Sequence, residues 1–202
     1  EKKLLEDQGN EVVTYYRYNK EIDDYGVWDK LKLIKTTTWS DQTYKEVLKL
    51  LKETKPDICH VHNFFPLISP SVYVACQDAG VPVVQTLHNY RLICTNALFL
   101  RDGRVCEDCL GRSAYHSVSK KCYRDSYLQT YVVARMIEEN KKKGVWENKV
   151  NAYLCFTEFA KSKFIAQGYL EGKIHIKPNF VELDSVEKVQ KEDYFIYVGR
   201  LE

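Results

Sequence analysis

The sequence predicts an α/β fold in which a parallel β-sheet is flanked by helices. Three short apolar runs, at residues 58–62, 81–87 and 152–156, have the length and β-branched content of buried parallel strands. Stretches with the apolar spacing of helices separate these runs at the distances that parallel crossovers need. Ligands of open parallel sheets bind beyond the carboxyl ends of the strands. We therefore expect the functional site at that edge.

Cap residues and periodicity place the other elements. The first part of the chain is predicted to contain a helix end at residues 1–8 closed by Gly9, a strand at 11–16, a loop at 17–39 with a short strand near 31–34, and a helix starting at Ser40 or Asp41. The rest is predicted to contain a helix opened by Ser69 and Pro70, a hairpin turn at Asp102 and Gly103, helices at 126–143 and from Thr157 to about 167, and strand-like runs at 174–177 and 195–198. Ser, Thr and Asp are favoured N-caps, Pro is favoured at the first helical position, and Gly is favoured after a helix.

Composition excludes several classes of protein. The chain has 202 residues, enough for one large domain or one and a part, and 45% of them are hydrophobic. A net charge of +2 without a basic stripe gives no indication of nucleic-acid binding. No apolar run approaches the roughly 20 residues of a membrane-spanning helix, and no secretory signal opens the chain. Phosphate-binding glycine motifs and the His-Glu-x-x-His zinc motif are absent.

A change in composition suggests a domain boundary near the end of the chain. Residues 181–193 are charged and contain few large apolar side chains, which is typical of a linker. We predict the following division: an N-terminal domain at residues 1–181 with a cysteine-rich insertion at about 90–125, then a linker and the first strand of a truncated C-terminal domain at 182–202. Because the sequence starts at Glu1, without Met and inside a predicted helix, we expect a fragment of a longer protein.

Four cysteines form the strongest chemical signal. Cys106 and Cys109 form a Cys-x-x-Cys pair, the usual half of a tetrahedral zinc site, and Cys94 and Cys122 flank it at similar distances. The surrounding segment is poor in apolar residues, so a structural zinc ion would replace a missing core. His116 can stand in for one thiolate. The alternatives are isolated reduced thiols or a disulfide formed after purification.

The other three of the seven cysteines, Cys59, Cys76 and Cys155, lie in strand or helix patterns and are interpreted as small buried hydrophobic residues. An odd number of cysteines without a signal peptide favours reduced thiols in a cytosolic protein.

Histidines follow two of the predicted strands. His62 and His88 each stand at a strand exit, and each is followed by an asparagine, Asn63 or Asn89. Packing does not explain this repetition of position, so we predict that these residues bind substrate together with the nearby Arg91.

Two further features of the strands have structural and functional interpretations. His60 shares a strand face with His62, so the pair is either functional or a satisfied core feature. Thr157 and Glu158 form either a polar lip on the same edge or an ordinary helix start, in which Thr caps and Glu complements the helix dipole. His175 is interpreted as structural.

Six segments of the chain resemble the family 4 glycosyltransferases in order and spacing. They are residues 57–66 (DICHVHNFFP), 82–96 (PVVQTLHNYRLICTN), 105–111 (VCEDCLG), 153–164 (YLCFTEFAKSKF), 176–181 (IKPNFV) and 197–201 (YVGRL). The resemblance runs from about Ile58 to the end of the chain. It implies the N-terminal half of a GT-B fold, with two Rossmann-like domains around a cleft, and a retaining enzyme, many of whose relatives assemble bacterial surface polysaccharides.

The resemblance also implies roles for individual residues. His88 matches the family histidine that is expected to contact the transferred sugar near the reacting centre. Arg200 matches the arginine expected to bind the donor diphosphate, a role that suits the paired hydrogen bonds of a guanidinium group. Asn179 is expected to shape the cleft. The implied step is a front-face displacement in which the leaving phosphate helps to deprotonate the acceptor hydroxyl, and it requires no metal, so any zinc would be structural.

The implied substrates are a nucleotide-sugar donor and a saccharide or lipid-linked acceptor. A lipid-linked acceptor leads us to expect a cytoplasmic protein associated peripherally with the inner face of the membrane. The family's glycine loop and its glutamate-rich donor motif are missing, so we expect the fragment alone to be inactive. The alternative interpretation is a zinc-stabilised interaction module on a Rossmann scaffold, without chemistry. The context of residues 88–91 disfavours a sugar-phosphate epimerase of the related two-domain fold.

Overall fold

The computed structural model describes residues 1–180 and 193–197. Its helices are α1 (Lys2–Asp7), α2 (Val27–Thr36), α3 (Asp41–Thr54), α4 (Ser71–Asp78), α5 (Tyr127–Lys142), α6 (Val145–Asn148) and α7 (Glu158–Ala166), with short 3-10 helices at Asn19–Ile22, Ala114–Lys120 and Glu171–Lys173. Its strands are β1 (Cys59–Val61), β2 (Val83–Thr86), β3 (Leu100–Arg101), β4 (Arg104–Val105), β5 (Ala152–Cys155) and β6 (Ile174–Ile176). The predicted α/β class is therefore confirmed.

Four parallel strands form the central sheet in the order β1-β2-β5-β6. Val61 pairs with Gln85, Gln85 with Tyr153, and Tyr153 with Ile174, so these residues form one row across the sheet. Because the strands are parallel and in register, all four carboxyl ends lie at one edge. This is the edge at which the sequence places the functional residues.

The core lies on one face of this sheet. Buried strand residues from this face, among them Val83, Tyr153 and Cys155, join one hydrophobic cluster with side chains of α3, α4, α5 and α7. The alternate strand residues are less covered: Val84 and Leu154 are half-buried. The two faces of the sheet therefore differ in burial, although the apolar runs alone suggested strands buried on both sides.

A polar residue occupies the centre of this core. The Gln85 side chain is buried, and its amide oxygen accepts a hydrogen bond from the hydroxyl of Tyr73, which is fully buried. Its amide nitrogen donates to the carbonyl of His62 at 2.7 Å and to that of Thr86 at 2.6 Å. This network connects α4 and β2 with the exit of β1, so it fixes the edge where the candidate site lies.

Side-chain caps begin three helices, and the sequence predicted two of them, Ser40 and Thr157. The side-chain oxygens of Ser40, Ser126 and Thr157 accept hydrogen bonds from the backbone three residues later, at 3.1, 3.3 and 3.1 Å. Each thereby satisfies one of the free N–H groups in the first helical turn. At α4 the prediction is one residue early, because Pro70 is the N-cap and Ser71 begins the helix.

Three predicted strands are wrong or incomplete. Residues 11–16 form no strand, and residues 31–34 belong to α2 instead, where Leu31 and Leu33 lie in a helix. An isolated apolar run becomes a strand only when a neighbouring strand pairs with it, and no strand of the described residues does so here. Of the run predicted at 195–198, the described residues 195–197 are not in a strand, and residue 198 lies outside the described part of the chain.

The cysteine-rich insertion is confirmed as a separate feature outside the sheet. Strands β3 and β4 form a two-stranded antiparallel hairpin. Asp102 and Gly103 form its turn with φ angles of 52° and 70°, as their sequence predicts. The 3-10 helix at Ala114–Lys120 packs against α5. Within the described ranges, no helix has both the length and the apolar character needed to cross a bilayer.

The central network gives a prediction for stability. Replacing Gln85 with Leu leaves the buried Tyr73 hydroxyl without an acceptor, which should lower the free energy of unfolding by about 1–3 kcal/mol. The double variant Gln85→Leu/Tyr73→Phe also removes the unpaired hydroxyl and should recover that part of the loss, whereas the lost bonds to the His62 and Thr86 carbonyls are not recovered. Urea unfolding of both variants and of Gln129→Leu, an exposed control on α5, measures the difference. A single variant as stable as the control would contradict the assigned role of Gln85.

Candidate functional site

A cluster of histidines lies at the carboxyl edge of the sheet. His62 directly follows β1, His88 stands two residues after β2, and the parallel pairing of these strands brings the two side chains together. Nδ1 of His62 lies 2.9 Å from Nε2 of His88, which is a hydrogen bond. His60, on the same face of β1, places its ring centroid 4.2 Å from that of His62 and its Nε2 2.7 Å from the hydroxyl of Thr86. The structure therefore joins three histidines that the sequence only places at neighbouring positions.

The surroundings of the cluster favour uncharged histidines. Burial lowers the pKa of His60, of His62 and of His88 below the ordinary value, and mutual repulsion adds to this because His60 acts on His62 and His62 acts on His88. The Glu1 carboxylate acts in the opposite direction on all three pKa values. Lys177, by contrast, adds to the lowering of the pKa of His60 and His62.

Neutral histidines require a defined pattern of hydrogen bonds. A carboxylate only accepts, and Nε2 of His62 faces the Glu1 carboxylate at 3.3 Å, so Nε2 of His62 carries the proton. Nδ1 of His62 then accepts from Nε2–H of His88. Nδ1 of His88 is left as an acceptor, the atom suited to a hydroxyl group of a bound ligand.

Two adjoining clefts open at this edge. The larger, of about 370 Å³, is lined by Glu1, His62, Thr86, His88, Leu154, Phe156, Lys177, Asn179 and Phe180. All four strands of the sheet contribute a residue just past their carboxyl ends, namely His62, His88, Phe156 and Lys177. The smaller, of about 190 Å³, shares His62, Thr86 and His88 and continues to Asn63, Asn89 and Arg91. The predicted substrate-binding residues His62, Asn63, His88, Asn89 and Arg91 therefore lie together.

Arg91 is held in a defined position beside the smaller cleft. Its guanidinium carbon lies 4.8 Å from the ring centroid of Phe65 and 4.9 Å from that of Tyr123, so the cation lies against two aromatic rings. Its side chain donates to the carbonyl of Thr95, and its backbone N–H donates to the side chain of Asn89 at 2.9 Å. Aromatic contacts of this kind suit a guanidinium group better than an ammonium group.

Two predicted site residues lie outside both clefts, and a third lies outside the described part of the chain. Thr157 caps α7, and Glu158 is exposed in its first turn, and neither lines the two clefts. The geometry thus accounts for Thr157 as a helix cap, and a substrate contact by either residue stays a prediction. Arg200 lies outside the described residues, and its role also stays a prediction.

Several lining residues were missed by sequence reasoning. Thr86 and Phe156 stand at strand ends and could have been found from that position alone. Lys177 lies in residues 176–181, which resemble the family, but no local pattern indicates a role for its side chain. The contacts of Glu1 with His62 and Lys177 bridge distant parts of the chain, so no local pattern could reveal them.

The four predicted zinc ligands also come together. Cys94, Cys106, Cys109 and Cys122 line one small cavity within the insertion. Burial raises the pKa of the Cys109 thiol to about 12, and repulsion from the thiols of the other three adds to it. All four are free thiols, as are Cys59, Cys76 and Cys155. Of these last three, Cys76 and Cys155 are buried and Cys59 is half-buried, close to the expected hydrophobic role.

Glu1, His60 and His62 place their potential ligand atoms within 4.8 Å of one another. They are the one group of three or more metal-ligating residues that does so among the described residues. The four cysteine sulfur atoms therefore stand further apart than they would around a bound metal ion.

A parallel α/β domain with a polar cleft at the carboxyl ends of its strands is a ligand-binding domain of the Rossmann-like class. The family model described as Glycosyltransferase Family 4 matches residues 3–185. Since this match covers most of the chain, the protein belongs to Glycosyltransferase Family 4. No curated protein and no solved structure matches the chain. Membership in this family implies a sugar donor and an acceptor as substrates.

The lowered pKa values of the histidines predict a dependence of stability on pH. Below about pH 6.5, the ordinary pKa of histidine, the unfolded chain binds more protons than the folded chain, so the free energy of unfolding decreases as the pH falls. Above that pH the neutral histidines no longer lower the free energy of unfolding. Replacing His62 with Gln removes one histidine of lowered pKa and also removes the repulsion that lowers the pKa of His88. The free energy of unfolding should therefore decrease less between pH 7.5 and pH 5.5.

Denaturant unfolding at a series of pH values measures this slope. His175→Gln is the matched control because His175 is exposed on β6 and outside the cluster. Equal slopes for the wild type and for His62→Gln would show that the cluster does not disfavour charged histidine.

Proposed function

We propose that the protein transfers a sugar from a nucleotide-sugar donor to a saccharide or lipid-linked acceptor with retention of configuration, in the assembly of a bacterial surface polysaccharide. The domain described here is the acceptor-side half of a GT-B enzyme in this proposal, and a donor-binding domain follows it in the intact protein. The proposal places the enzyme in the cytoplasm at the inner face of the membrane. Family membership and the resemblance of individual segments support it.

One observation supports this assignment most strongly. All four parallel strands place a side chain at the same cleft, and the cleft combines hydrogen-bonding groups with the aromatic rings of Phe156 and Phe180. Sugars present hydroxyl groups and apolar C–H faces, so such a mixed surface matches their chemistry. The ring of His88 lies 5.4 Å from that of Phe156 in an edge-to-face arrangement, and both residues line this cleft.

The proposed step depends on position more than on acid–base chemistry by the protein. His88 is neutral, and its Nδ1 accepts a hydrogen bond from a hydroxyl group of the transferred sugar. His62 holds the His88 ring in the required orientation through the 2.9 Å bond. The departing diphosphate takes the proton of the acceptor hydroxyl, and Arg200 stabilises its charge. Fixing the reactants in this way lowers the barrier because the entropy of orientation is lost on binding.

The first test replaces His88 with Ala in the intact protein. The loss of one positioned hydrogen bond at the reacting centre should lower kcat by about 100-fold or more while the protein stays folded. Transfer from a panel of nucleotide-sugars, followed by determination of the anomeric configuration of the product, measures both activity and retention. His175→Ala is the matched control and should retain activity. A fully active His88→Ala variant, or a product of inverted configuration, would overturn the corresponding part of the proposal.

The second test replaces Arg200 with Lys. The charge is kept, but the paired hydrogen bonds of the guanidinium group to phosphate are lost, so the KM for the donor should rise about tenfold or more. The KM for the acceptor should change little. Steady-state kinetics with each substrate varied in turn separate the two effects. A change confined to the acceptor would place Arg200 away from the diphosphate.

A further inference from the structure

We propose that Cys94, Cys106, Cys109 and Cys122 bind one zinc ion that holds the cysteine-rich insertion together and positions Arg91 beside the smaller cleft. This site goes beyond sugar transfer, because the ion would have no part in the reaction. It can therefore be tested independently of the proposed function.

The first argument is the convergence of the four cysteines. They come from distant parts of the insertion: Cys94 precedes the hairpin, Cys106 and Cys109 follow β4, and Cys122 follows the 3-10 helix at Ala114–Lys120. All four nevertheless line one cavity of about 10 Å³, close to the volume that a single small occupant needs. The other three cysteines lie in β1, α4 and β5 and do not line it. Four thiols around one small cavity are the ligand set of a structural zinc site.

The second argument is the weak internal support of the insertion. Its residues Leu92, Ile93 and Phe99 join the main core of the domain. Its hairpin, however, has two residues in each strand, and the apolar side chains of Leu98, Leu100 and Val105 are exposed. Six non-glycine residues of this region have φ angles between 48° and 70°: Ala97, Phe99, Asp102, Lys121, Arg124 and Asp125. Such conformations cost energy and persist where the surrounding structure enforces them. A zinc ion with four ligands would enforce them where the hydrophobic core does not reach.

The third argument is the charge around the cavity. Zinc with four thiolates carries a net charge of about −2. Arg101 and Lys120 line the same cavity, and both contact Asp108, the one acidic side chain among its lining residues. Two cations and one carboxylate leave a positive surplus, which would offset part of the charge of the zinc–thiolate group.

Binding requires the thiols to move closer together. The Cys94 thiol donates to the side-chain oxygen of Asn96 at 2.9 Å, and Cys94 and Cys109 are both buried. Because no three of the four sulfur atoms lie within 4.8 Å of one another, the thiols must turn toward the cavity to reach the roughly 2.3 Å of a zinc–sulfur bond. Such turns need rotation of side chains that already face the same space.

The site would also act on the candidate active site. Cys122 is adjacent to Tyr123, whose ring packs against the guanidinium group of Arg91, and Cys94 is adjacent to Thr95, whose carbonyl accepts from Arg91. Zinc would therefore fix both contacts of Arg91 from the same centre. Removal of the zinc ion would therefore loosen these two contacts and change the position of Arg91.

The test measures zinc in protein purified without chelator. We expect one zinc ion per chain, and mass spectrometry after alkylation should find Cys94, Cys106, Cys109 and Cys122 protected until a chelator removes the metal. Replacement of the zinc by Co²⁺ should give the thiolate charge-transfer absorption and the strong visible bands of a tetrahedral site. Removal of zinc should lower the thermal unfolding midpoint and raise the reactivity of the insertion to protease, and added zinc should reverse both effects.

Variants assign the metal to these cysteines. Cys109→Ser should lose at least nine-tenths of the bound zinc, whereas Cys59→Ser, a half-buried cysteine of β1, should retain it. If Cys109→Ser does not fold, alkylation of the wild type shows whether the thiols of Cys94, Cys106, Cys109 and Cys122 are the ones that the metal protects. A zinc-to-chain ratio near zero with these four thiols reactive, a disulfide between any of the four, or zinc retained in Cys109→Ser would each overturn the proposal.

Discussion

The buried amide of Gln85 is the interaction on which the candidate site depends. It lies in the middle of the sheet, where a parallel strand usually carries an apolar residue. By bonding to Tyr73 on one side and to the His62 carbonyl on the other, it connects the packing of α4 to the position of a site residue. An apolar side chain could fill the same volume, but it could not fix the direction in which the chain leaves β1. The polar group therefore serves the geometry of the edge as much as the stability of the core.

The edge that Gln85 fixes carries a cluster of three histidines, and all three favour the neutral state. His60, His62 and His88 are close enough that protonating one disfavours protonation of the next, and partial burial acts in the same direction. A neutral cluster keeps a fixed order of donors and acceptors, which suits the recognition of hydroxyl groups. Charged histidines would instead present donors at both ring nitrogens and could not accept from a sugar. The site is thus organised for binding and orientation.

Local signals predicted the fold well and the site in part. The caps Ser40, Ser126 and Thr157 and the buried strands are set by short-range preferences, so they could be found from the sequence. The run at residues 11–16 has the composition of a strand, but its structure depends on a pairing partner that the sequence does not specify. Similarly, His88 could be found from its place after a strand. The contacts of Glu1, by contrast, depend on tertiary folding.

The cysteine-rich insertion connects stability to specificity. It begins at the end of the segment that carries His88, so its conformation determines where Arg91 and the ring of Tyr123 lie. In the proposed enzyme this insertion needs a fixed shape beside the acceptor. Its inner residues join the main core, but its β3–β4 hairpin contains no buried residue. A cross-link through the four cysteines resolves the difficulty, because it fixes a small segment at few points and leaves its outer surface free. On this argument the exposed side chains Leu98, Leu100 and Val105 need no internal partner.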